Sequence, residues 1–252
     1  MKLLVALALA LSLVAPAGST NPTPGKAIAL QLPGMHLAKV RRNLPYAPGQ
    51  AMDVYRPRGA TRPLPAVLFV HGTGGPNLKD AGVYVGWGQL AAASGLAGVT
   101  FNQDGLQTDV VAAIRYVRRN AQRLGIDGDR LCVAGFSNGV VPTMLVALKE
   151  TAARLRCAVA YYGPLDAYYE QSSPLAQLKR TSLPVLVAKA GRDTAAINTS
   201  IERFVAKGRR VGASVQLLVH PQGGHGFDAE SSLRSRAILR RTLEFLRTQL
   251  RS

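Results

Sequence analysis

Gly135-Phe136-Ser137-Asn138-Gly139 sets a serine between two glycines where an apolar run, Leu131 to Ala134, gives way to a helical pattern. A nucleophile elbow requires that context, because the turn is too sharp for bulky neighbours and leaves the serine hydroxyl projecting. Gly135 and Gly139 would relieve the clashes; the plainer alternative is a tight turn in which Ser137 only caps a helix. A serine hydroxyl is a weak nucleophile until a base accepts its proton. Of four histidines, His225 is the best placed, in the flexible stretch Gly223-Gly224-His225-Gly226-Phe227. His220, beside Pro221, is the competitor, and His36 precedes the core sheet. The imidazole in turn needs a carboxylate to hold its tautomer and stabilise its charged form. Asp193, in Ala190-Gly191-Arg192-Asp193-Thr194, lies 32 residues before His225, which leaves room for one helix and one strand. Asp166 is the rival acid, whereas Asp228 stands too close to His225 in sequence to orient it easily and is a candidate cap for the last helix.

Negative charge that builds on a carbonyl oxygen under attack must meet preorganised donors. The backbone N–H of Asn138, at the helix start, is one. The second is expected from His71-Gly72-Thr73-Gly74-Gly75, with Thr73 N–H ahead of Gly74, because glycines let the main chain approach a substrate closely. His71 is expected to brace this loop by hydrogen bonding, and Gly72 to support it. The chemistry expected of such a set is acyl transfer through a covalent serine intermediate.

These residues must converge, and the pattern of elements says how. Short apolar runs alternate with helical ones: Ala66 to Val70, Val83 to Ser94, Gly98 to Phe101, then a helix that Thr108 could cap. Asp127-Gly128-Asp129 reads as a turn before the strand at Leu131. A helix over about 138–154, a strand at Cys157 to Tyr162 and a strand at Leu183 to Ala188 follow. Thr199 to Arg210 then reads as a helix and Val215 to Val219 as a strand, and the closing helix carries Leu239, Leu243, Leu246 and Leu250 on one stripe. Strands alternating with helices imply right-handed crossovers and a mostly parallel sheet covered on both faces. His36 to Leu44 and Ala51 to Tyr55 could pair as an antiparallel edge. Ligands of such sheets bind at the carboxyl ends of the strands, where His71, Ser137, Tyr161 to Asp166, Asp193 and His225 all fall.

With those residues in place the chain resembles an α/β-hydrolase of the dienelactone-hydrolase-like, serine esterase branch. Asp53-Val54-Tyr55-Arg56-Pro57, the His71-Gly72 loop, the serine elbow, Gly191-Arg192-Asp193 and His225-Gly226-Phe227-Asp228 carry the resemblance, over roughly residues 36–250. It implies an α/β fold with the catalytic order Ser137, Asp193, His225 and no cofactor. Dienelactone hydrolases proper use cysteine where Ser137 stands, a departure that points toward ordinary esters. The loop also lacks the three consecutive glycines of hormone-sensitive-lipase-like esterases.

Composition bounds the rest. A chain of 252 residues, 47% of them apolar, can bury a full core, so global disorder is excluded. Met1-Lys2 followed by an apolar run to Ala15 and then Ala15-Pro16-Ala17 reads as a signal peptide over 1–17. A flexible lead-in over 18–35 and one α/β domain over 36–252 complete the expected organisation, and the mature protein is expected to be exported, periplasmic or secreted. The formal charge is +17. Arginines are spread along helices without the interleaved aromatics that stack bases, so nucleic acid is not expected as a partner. Weak attraction to an anionic membrane or cell-wall surface is the sharper reading of that charge, and a solvated basic face the plainer one. Cys132 and Cys157 fall on neighbouring strands; export permits a bridge, a link between parallel strands would be strained, and two buried thiols are the reading preferred over it. No spacing suits a metal site.

Only about 20 residues separate the strand ending at Tyr162 from the next, so no large cap is expected and the site should be fairly open. Tyr161, Tyr162, Tyr168 and Tyr169 are candidate lining residues, and Trp87 a helix anchor. The expected substrate is a small or medium carboxylic ester. Peptide or thioester cleavage by the same residues, and a non-catalytic binder of anionic surfaces, are the alternatives.

Overall fold

The computed structural model describes residues 26–72, 78–166 and 173–251. Strands run as β1 Lys39–Ala47, β2 Gln50–Arg56, β3 Leu64–Val70, β4 Ala97–Phe101, β5 Ile126–Phe136, β6 Cys157–Tyr161, β7 Val185–Ala190 and β8 Val215–His220. The helices are α1 Gly82–Ala93, α2 Gln107–Arg119, α3 Ala121–Leu124, α4 Val140–Lys149, α5 Pro174–Gln177, α6 Ala195–Val211 and α7 Leu233–Gln249.

All eight strands form one sheet in the order β1-β2-β4-β3-β5-β6-β7-β8. The β1–β2 and β2–β4 pairs are antiparallel and every other pair is parallel. Successive side chains on a strand point to opposite faces, so β3 sends Ala66, Leu68 and Val70 to one core and Val67 and Phe69 to the other. The first core closes on α2, α4 and α6 through Val110, Ile114, Val117, Met144, Ile201 and Phe204. The second closes on α1 and α7 through Trp87, Leu90, Leu239, Leu243 and Leu246. With helices over both faces, the β3 to β8 strand ends that point toward the site are held by packing on each side.

Four local expectations are corrected. Asp127-Gly128-Asp129 is not a turn ahead of the strand but part of β5, where the pairing with β3 shifts register between Leu64 and Ala66. Asp127 Oδ1 accepts the Asp129 N–H at 3.0 Å, so the turn chemistry persists as an irregularity within the strand. Thr108 does not cap α2. Leu106 holds that position, and the Asp109 carboxylate reaches back to the N–H groups of Asp104 and Leu106.

The lead-in expected over 18–35 is packed from residue 26 onward as far as it is described. Ile28, Leu30 and Met35 are buried in the second core, and Ala29 N–H donates to Asp228 O at 2.7 Å. Apolar side chains at alternate positions give this segment a burial free energy that a flexible tether would lack. Finally, Cys132 and Cys157 form a disulfide. They are direct register partners on β5 and β6 with Cα atoms 4.8 Å apart, a separation a bridge spans without backbone movement. The segment over 1–17 lies outside the described residues.

Candidate active site

Ser137 follows β5 directly, with φ of 51°. A left-handed backbone is costly for a residue with a Cβ and persists only where the surroundings impose it. Here they do. A Cβ added at Gly139 would stand 2.3 Å from the carbonyl oxygen of His71, so only glycine lets the elbow press against the end of β3. Gly135 is closed in the same way by Thr143 and the carbonyl of Gly139.

Two loops at the same edge complete a hydrogen-bonded line. His225 Nδ1–H donates to Asp193 Oδ2 at 2.7 Å, which leaves Nε2 to accept the Ser137 hydroxyl at 2.8 Å. The other Asp193 oxygen accepts the Thr194 N–H at 2.8 Å. The Asp193 side chain is 3% exposed and that of His225 43%, so the acid is sheltered while the imidazole faces the solvent side where a substrate would enter. The loops of Asp193 and His225 are tied to each other through Gly191 N–H to His220 O, and Arg192 N–H to Gly223 O.

The rivals stand elsewhere. His220 is buried, with Nε2 at 3.0 Å from Ser232 Oγ. Asp166 pairs with Arg203 on α6 at 3.2 Å. Asp228 does not cap the last helix, whose cap is Ser232. Its buried carboxylate accepts Trp87 Nε1–H at 2.8 Å and the Tyr162 hydroxyl at 2.6 Å. Burial pushes the Asp228 carboxyl above the ordinary carboxylate range, although both donors oppose that shift. Trp87 anchors α1 through this bond.

On the other side of Ser137, His71 Nδ1–H donates to Gly72 O at 2.7 Å, and Gln103 Nε2 donates to His71 O at 2.8 Å. Burial holds the His71 imidazole below its ordinary pKa. Gly72 N–H is spent on the Tyr84 hydroxyl at 3.0 Å, and its Cα lies so near Ser137 that a Cβ there would come within 2.8 Å of the serine Cβ. Asn138 is exposed at the start of the turn leading into α4. Thr73 and Gly74 lie outside the described residues, as do Tyr168 and Tyr169. Just past that loop, buried Lys79 reaches buried Asp53 at 3.2 Å, and Asp53 also accepts the Asn43 N–H at 2.8 Å. The Asp53 motif thus ties β2 to the segment that leaves the loop. Among the described residues no group of three or more His, Cys, Asp or Glu side chains could hold a metal ion.

Three further participants surround these residues, and of them the sequence singles out only Tyr162, as a candidate lining residue. Tyr162 has φ of 38° and sets its ring 4.9 Å from that of His225. Gly163 lets the Ser137 carbonyl pass where a Cβ would stand 2.1 Å away. Gln103 braces His71. Their common signal is position just after β4 or β6, at the edge where the other site residues gather.

Comparison with known proteins bears on the family and the fold. A Salmonella typhi protein named "Putative carboxymethylenebutenolidase" is 33% identical over 126 residues, covering 49% of this chain and 46% of that one. The chain thus spans about half the length of the curated relatives it matches. Among solved structures, a truncated carbohydrate esterase from gut microbiota superposes with a TM-score of 0.73 at 18% identity, covering 85% of this chain and 97% of that one. A thermostable esterase of Pseudomonas putida gives 0.68 at 21% identity, covering 84% and 83%. At such identities these structures speak for the α/β-hydrolase fold alone. The sequence profile of the Dienelactone hydrolase family matches residues 92–250, which take in the elbow, Asp193 and His225. With more than half of its length inside that profile, the chain belongs to the dienelactone hydrolase family.

Proposed function

We propose that this protein is an exported serine hydrolase that cleaves small to medium carboxylic esters through an acyl-enzyme on Ser137. The observation that carries the reading is the unbroken line from Asp193 through His225 to Ser137, at 2.7 and 2.8 Å. His225 takes the hydroxyl proton as Ser137 Oγ bonds to the ester carbonyl carbon. The oxyanion is met by Asn138 N–H and by a donor of the Thr73 loop. The C–O bond to the alcohol then breaks, and His225 gives its proton to the departing oxygen. Water, deprotonated by the same imidazole, releases the acid and restores the serine. Nucleophile, base and orienting acid are all side chains of this chain.

The dienelactone hydrolase family, matched over residues 92–250, supports ester cleavage. Export is supported by the Cys132–Cys157 disulfide, a bond that persists in oxidising compartments and is rare in reducing ones. The test is hydrolysis of p-nitrophenyl butyrate by the wild type, Ser137→Ala and His225→Ala. Turnover in the wild type and a loss of at least about 10³-fold in each variant are expected. Equal rates in all three would refute the reading.

A further inference from the structure

Resting on the ester-hydrolase reading, the geometry points to a dedicated acyl-chain subsite between the start of α4 and the loop from β4 to α2. A groove of about 320 Å³ lies there, lined by Leu106, Gln107, Asn138, Val141, Pro142 and Leu145. The volume is at the lower end of the range for small-molecule sites, about 300–1,000 Å³.

Three observations assign its occupant. The first is direction. His225 protonates the departing oxygen, so the alcohol must leave toward His225, which follows β8, and Asp193, which follows β7. In the sheet order those strands lie on one side of β5, whereas β4, which feeds the groove, lies on the other. The acyl substituent, held on the Ser137 oxygen after the alcohol departs, is therefore the part that extends toward β4. The second is continuity. Asn138 adjoins the nucleophile in sequence and lines the groove, so a carbonyl held at its N–H has the groove beside it.

The third is chemistry. Among the described residues no ionisable side chain lines the groove, and the Gln107 amide is already given to Glu150 at 3.1 Å. Leu106 is 56% exposed, and only Leu233 among the large apolar side chains of the described residues is more so. An alkyl chain laid along it would cover that surface; a carboxylate or phosphate would find no counter-charge. The subsite selects an uncharged acyl chain of a few carbons.

The test uses p-nitrophenyl acetate, butyrate, hexanoate and octanoate, beside acetate esters of alcohols of increasing length. Wild-type kcat/KM should rise from acetate toward butyrate or hexanoate. Leu145→Trp, which fills the groove, should lower the hexanoate-to-acetate ratio of kcat/KM at least about tenfold, the scale on which apolar pockets discriminate chain length. Leu145→Ala, which enlarges it, should move the optimum to a longer chain, and neither variant should change the order of the alcohol series. An unchanged acyl profile in both variants would overturn the subsite, as would an effect confined to the alcohol series. If a fluorophosphonate labelled Ser137 in such a case, the hydrolase reading would stand and only the subsite would fall. Absence of both labelling and turnover would remove both.

Discussion

The Tyr162 hydroxyl donates to Asp228 Oδ1 at 2.6 Å, and through that bond a strained residue at the end of β6 holds the loop that carries His225. Asp228 follows His225 by three residues, and Trp87 Nε1 occupies its second oxygen at 2.8 Å. The Tyr162 ring lies against the imidazole. Burial and the neighbouring Asp228 charge raise the Tyr162 hydroxyl well above its ordinary pKa, so it remains a donor throughout the neutral range.

Tyr162→Phe removes that donor and keeps the ring. A hydrogen bond to a charged buried group contributes about 1.5–3 kcal/mol, and stability to urea should fall by that order. Because the ring stays, KM should change little while kcat drops about tenfold as His225 loses its fixed orientation. Steady-state kinetics of the folded variant checks this; a kcat equal to wild type would show that Tyr162 does not position the base.

His71 makes stability depend on pH. Its folded pKa is depressed by burial, while the unfolded side chain titrates near about 6.5. Below that value the unfolded chain binds the proton and the folded one resists it. The His71 contribution is therefore complete above about pH 6.5 and declines as pH falls from there toward the folded value. Urea unfolding of wild type and His71→Gln at pH 8 and pH 5 should show the wild-type advantage shrinking at the lower pH. A constant difference would contradict it.

The Cys132–Cys157 bridge closes a loop of 25 residues between two core strands. Constraint of the unfolded chain by such a loop is worth about 3 kcal/mol. The double variant Cys132→Ala/Cys157→Ala should lose about that much in denaturant, and reductant should then no longer lower the midpoint. Equal stability of bridged and unbridged forms would show that strand packing alone holds β5 to β6.

Much of this was legible in residue types and spacing. Ser137, Asp193 and His225 could be ordered from the sequence because each follows an apolar run that reads as a strand, and parallel strands deliver such residues to one edge. Asp228 was misread because sequence distance says nothing of burial. Its partners Trp87 and Tyr162 come from α1 and β6, and only packing brings them together. The cysteines escaped for a related reason: neighbouring strands were foreseen, but the register that sets Cys132 opposite Cys157 depends on how far β5 has run before it meets β6. The Pro and Gly of Asn21 to Lys26 read as a tether, and residues 26–35 go with that stretch in the sequence, while the alternate burial of Ile28 and Leu30 needs α1 and α7 as a floor.

The central claim is that Ser137 is a nucleophile activated by His225. Its most direct test is reaction with a fluorophosphonate, followed by intact mass and peptide mapping. One phosphonyl adduct on the peptide containing Ser137 is predicted in the wild type, none in Ser137→Ala, and markedly slower labelling in His225→Ala. An unlabelled wild type, or an adduct that persists in Ser137→Ala, would contradict the account.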